Sequence, residues 1–87
     1  MTTQTQNKIS EYVARLDISE LDKFYVTRTL LNLSLYNEKQ IPLEHLGTFE
    51  TALIHNDLKL AALRADAVSL ANLRHIILYI IQNDIRR

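Results

Sequence analysis

The sequence predicts an all-α fold, a small antiparallel bundle of four helices, and three observations carry that prediction. One glycine and one proline in 87 residues leave little punctuation for hairpins. No stretch alternates apolar and polar residues as a half-buried strand would. Apolar residues instead recur at intervals of three and four along most of the chain. At this length the chain reads as one domain over 1–87, near the size at which a single core only just offsets the ordering of the backbone.

The first helix is expected over about 5–16, where Ile9, Tyr12, Val13 and Leu16 share one stripe. Ser19 followed by Asp22 has the form of an N-cap with a reciprocal carboxylate, and it opens a second helix over about 20–36. Asn37 to Gln40 is polar and precedes Pro42, which suits a first helical turn and disfavours helical geometry at Ile41. A third helix over about 42–55 follows, with Leu43, Leu46, Phe49, Leu53 and Ile54 on one stripe and Gly47 as a weak point inside it. Asn56 and Asp57 are good cap types and separate it from a fourth helix over about 58–85, rich in Ala and Leu. Arg86 and Arg87 suit the C-terminal end of that helix dipole.

Helices two and four carry more apolar surface than one core-facing stripe. At 100° per residue, Leu21, Phe24, Tyr25, Leu31 and Leu35 fall on one side of helix two, and Val26, Leu30 and Leu33 fall nearly opposite. On helix four the main stripe is Leu60, Leu63, Ala67, Leu70, Ile77, Leu78 and Ile81, while Leu73, Ile76 and Ile80 lie well round from its centre. Each side chain of this size contributes roughly 1.5–3 kcal/mol when fully buried, so a small domain needs something to cover the surplus. We take the first stripe of each helix as core and Val26, Leu30, Leu33, Leu73, Ile76 and Ile80 as an extra, partner-binding face. The alternative is that helix two is simply central, flanked on both sides within its own chain. Arg28 and Arg74 lie within the main stripes and join the candidate partner-binding set, with Glu50 and Asp66 as the natural carboxylates to pair with them.

Composition narrows the chemistry. Ten Lys and Arg against ten Asp and Glu give a net charge of zero, without the basic excess that phosphate backbones demand, so no nucleic-acid partner is expected. The absence of cysteine removes thiol catalysis, disulfides and cysteine-ligated zinc, and points to a reducing, cytoplasmic setting. The longest strongly apolar run, Ile76 to Ile81, is too short for a membrane span. The residues three before His45, His55 and His75 are Pro42, Ala52 and Asn72, so the Glu-x-x-His pattern of di-iron bundles is absent and no metal or cofactor is expected. A single glycine closes the glycine-rich phosphate loops and the nucleophile elbow.

These readings converge on a non-enzymatic protein-interaction module, regulatory or adaptor in role. It is expected to form a homo-oligomer or to dock another helical protein through helices two and four. In size and layout the chain is similar to small cytoplasmic bacteriocin-immunity bundles, a resemblance that implies action by binding a target protein. From another class, His55 and Lys59 in an all-α chain resemble a histidine-phosphotransfer bundle. The chain departs from that pattern in placing the lysine four residues on instead of three, with Leu60 where a small glycine belongs.

Overall fold

Ser19 ends the first inter-helix turn by accepting the Asp22 N–H on its hydroxyl at 3.1 Å, and the chain enters its longest helix there. In the computed structural model, which describes residues 3–85, that helix is α2 (Glu20–Asn37), preceded by α1 (Thr3–Ala14). A 3-10 turn (Leu43–His45) leads to α3 (Thr48–Ile54), α4 (Leu58–Arg64), α5 (Ala67–Ala71) and α6 (Leu73–Gln82). Among the described residues there is no strand, and none of the helices is long and apolar enough to cross a membrane. Arg86 and Arg87 lie outside the described residues.

The expected helix over 58–85 is three helices, and simple length shows why. At 1.5 Å per residue it would be about 42 Å long, whereas the longest dimension of the molecule is 28 Å. The breaks fall at side chains that compete for backbone groups. Asp66 accepts the Ser69 N–H at 2.7 Å and restarts the chain as α5 after the extended Ala65. Asn72, only 2% exposed, sits between α5 and α6 and donates to the Val68 carbonyl (2.9 Å) and to the Asp22 carboxylate of α2 (3.2 Å). The Asp22 side chain thus ties the α5–α6 junction to α2.

The expected helix over 42–55 is likewise divided. Gly47 is not a weak point inside it but the N-cap of α3, with extended backbone, and Glu50 is the third residue of that helix. A Cβ at position 47 would stand 3.1 Å from the Glu50 carboxylate, so glycine leaves room for Glu50 to fold back over the cap.

With so little glycine, the helix ends use other residues. Lys39, Asn56 and Asp84 all have positive φ (62°, 58° and 52°). Each follows the C-cap of α2, α3 or α6, and the paired bonds are those of Schellman motifs: Gln40 to Leu35 with Lys39 to Tyr36, Asp57 to Ala52 with Asn56 to Leu53, and Ile85 to Ile80 with Asp84 to Ile81.

α2 is the hub. α1, α5 and α6 contact it, and α3 pairs with α4. The core joins Ile9 and Val13 of α1, Val26, Leu30 and Leu33 of α2, Phe49, Ala52 and Ile54 of α3, Ala61 of α4, and Ile76 and Tyr79 of α6. Tyr12 closes α1 against α6. Its ring meets Tyr79 edge-on at 5.1 Å and its hydroxyl donates to the His75 carbonyl.

Candidate functional site

The structure inverts the assignment of faces on α2. Val26, Leu30 and Leu33 were expected on the outward, partner-binding side, but they are core, with Leu30 at 0% exposure. Ile76 is buried as well, and Leu73 and Ile80 are half-buried against the same core. These six residues therefore form an interior and not an open face. The stripe taken as core is the one that faces out: Leu21 and Phe24 are each 62% exposed, Tyr25 is exposed, and Leu31 and Leu35 are half-buried. The same inversion holds further on, where Leu60, Leu63, Leu70 and Ile81 are exposed.

Leu21, Phe24, Arg28, Leu31 and Leu35 follow one another at intervals of three, four, three and four, the spacing of a seam that lies against a second straight helix. Phe24 and Tyr25 stack edge-on at 5.5 Å. Only the N-terminal part of this stripe is open: Leu21 and Phe24 are exposed, Leu31 packs against the core and Leu35 is half-buried, and Arg28, exposed, is its single charge. No covering element of the described chain lies over Leu21 and Phe24 closely enough to bury even half of either.

A polar cleft of ≈ 280 Å³ borders the ridge, lined by Arg28, Asn32, Glu50, Arg64, Asp66 and Ser69 among others. Burial pushes the Glu50 carboxyl above the ordinary carboxylate range, opposed by hydrogen bonds from the Asn32 side chain and the Gly47 N–H and by the Arg28 guanidinium. Its Oε2 is buried without a hydrogen-bond partner. Arg28 and Glu50 line one cleft, but the expected ion pair between them does not form. Asp66 does not serve Arg74, because its carboxylate caps α5. Arg74 is exposed and lies near Tyr12, whose hydroxyl is raised by burial and drawn back by that charge.

A separate apolar groove of ≈ 180 Å³ lies between the α3–α4 turn and α6, lined by Leu53, Asn56, Leu58, Ile77, Ile80 and Ile81. His55 is the exposed C-cap of α3, while Lys59 belongs to α4, so their spacing does not place them on one helical face. Among the described residues no group of three or more His, Cys, Asp and Glu could hold a metal ion.

Compared with protein-family models, curated proteins and solved structures, the chain matches none.

Proposed function

We propose that this chain is a non-enzymatic protein-interaction module that docks a helix, from itself or from another protein, against the outward ridge of α2. One observation carries the reading: an apolar seam with heptad-like spacing lies at the surface of the central helix, with Leu21 and Phe24 each 62% exposed. Leaving such side chains in water forgoes roughly 1–2 kcal/mol apiece, and a docked helix recovers it. The role is regulatory or adaptor-like, since a small module of this kind acts by occupying or presenting a surface. The absence of cysteine fits work in a reducing, cytoplasmic setting.

The test compares two leucines on opposite sides of one helix. Leu30→Glu should unfold the domain, because it buries a charge at a fully enclosed position. Leu21→Glu should keep the wild-type circular dichroism. In cross-linked extracts of the source cells, wild type should give a discrete heavier species that Leu21→Glu loses and Lys59→Glu, a surface change off the ridge, retains. An unchanged pattern in Leu21→Glu, or no heavier species with wild type, refutes the reading.

A further inference from the structure

We infer that the helix docked on the open end of α2 belongs to another protein and carries an acidic side chain, which enters the cleft beside Tyr25 and is held there by Arg28 and Arg64. The inference rests on the docking reading above and deepens it by naming the chemistry of the partner. Charge complementarity points to an acid. Arg28 of α2 and Arg64, the last residue of α4, are both exposed and line the same cleft of ≈ 280 Å³. Among the described residues no ion pair engages either guanidinium. The two carboxylates of the cleft are turned to other groups. Asp66 accepts the Ser69 N–H at 2.7 Å, and Glu50 takes hydrogen bonds from the Asn32 side chain and the Gly47 N–H, with its Oε2 buried away from solvent. Each guanidinium thus keeps its fork of N–H donors for an oxyanion, which it grips best at two points. A cleft smaller than the roughly 300–1,000 Å³ of ordinary small-molecule sites suits a single side chain better than a free cofactor.

The cleft adjoins the apolar end of α2. Tyr25 lines it and meets Phe24 edge-on at 5.5 Å, and Phe24 and Leu21 are each 62% exposed. The acids at this end of α2 are already engaged: Glu20 pairs with Lys23 at 3.6 Å, and Asp22 accepts the Asn72 amide at 3.2 Å. A partner helix that fills the cleft and covers Leu21 and Phe24 therefore reads as a carboxylate with apolar residues three and four positions away, on one face. A second copy of this chain does not offer that combination. Outside α2 the exposed large apolar side chains are Leu58, Leu60, Leu63, Leu70 and Ile81, all on α4, α5 and α6. Those three helices contain no Asp or Glu and do contain Lys59, Arg64 and Arg74, so docking any of them would bring cations to Arg28 and Arg64. α1 and α3 carry Glu11 and Glu50, but neither helix has an exposed large apolar side chain. α2 would bring its own Arg28.

The experiment selects helical peptides, displayed on phage and randomised along one face, on the purified full-length chain. Clones that fail to bind Phe24→Ala, a neutral truncation, are kept as binders of the α2 end. These should be enriched over the starting library in Asp or Glu three or four positions from apolar residues. Their affinity should fall about tenfold or more for Arg28→Gln and for Arg64→Gln, with the helical spectrum of both variants kept. It should be unchanged for Arg15→Gln, an exposed arginine outside the cleft. Binders of the α2 end that lack acidic residues, or that are indifferent to both cleft variants, overturn the acidic contact and leave the docking reading in place. A purified wild type that reaches twice 10.1 kDa in sedimentation equilibrium, while Leu21→Glu stays monomeric, overturns the foreign partner, because a second copy is then the occupant. A selection without any Phe24-dependent clone overturns the inference, and joined with the absence of a heavier species in extracts it removes the docking reading as well.

Discussion

Glu50 serves two ends with one carboxylate: it folds back on the Gly47 cap of α3, and it brings a charge into a cleft where one of its oxygens finds no partner. Its folded-state proton affinity lies above that of the unfolded chain, so the folded state binds the proton more tightly. Its contribution is therefore most favourable below the unfolded value and is lost as pH rises through the raised one. Other carboxylates titrate in the same range, so the variant Glu50→Gln supplies the reference. Urea melts from about pH 4 to pH 7 should show the stability of Glu50→Gln rising relative to wild type as pH increases. A shrinking difference would mean that Arg28 outweighs the desolvation. Lys39 offers a simpler case. It holds a left-handed conformation that costs a side chain energy and glycine little, so Lys39→Gly should stabilise the domain by about 0.5–1 kcal/mol, read as a rise of a few degrees in Tm. A fall in Tm would show that Lys39 makes a compensating contact.

At the scale of elements, α2 explains both what the sequence revealed and what it concealed. Its limits were legible from Ser19 and from the polar run after Tyr36, and the structure ends the helix at Asn37. Its orientation was not legible, because apolar residues surround it and neither stripe is marked by polarity as the inner one. Only the neighbours choose: Ile9 and Val13 of α1 and Ile76 and Tyr79 of α6 join Val26, Leu30 and Leu33 in the core. The residues of the ridge were thus visible as a stripe, while their exposure was not. The breaks at Asp66 and Asn72 were hidden for a different reason. Both are cap-forming types inside a segment whose Ala and Leu content favours helix, and the decisive partner of Asn72, Asp22, is 50 residues away in the chain. The Schellman endings escaped notice because their usual marker, glycine, is replaced by Lys39, Asn56 and Asp84.

At the scale of the molecule, the all-α class and the Cα radius of gyration of 11.9 Å follow from length and pattern. The division of labour between the two halves does not. α3, α4, α5 and α6 have 7, 7, 5 and 10 residues, all below the roughly 12–15 at which an isolated helix becomes marginal in water. α4 buries only Ala61, and α5 buries no residue. Native-state hydrogen exchange should therefore split the protein. Amides of α2 and those around Ile76 and Tyr79 should open only with global unfolding, and those of α4 and α5 through a cheaper, nearly denaturant-independent fluctuation. Equal opening energies throughout would mean that Asn72 welds the halves into one cooperative unit. The three-fold division of residues 58–82 then has a consequence for handling the protein. The segment that detaches first carries Leu60, Leu63 and Leu70, already exposed in the folded chain, so each opening adds unpaired backbone beside leucines that already meet solvent, and the segment can associate without the rest of the chain unfolding. Aggregation on storage should thus track this local breathing more closely than it tracks the melting temperature.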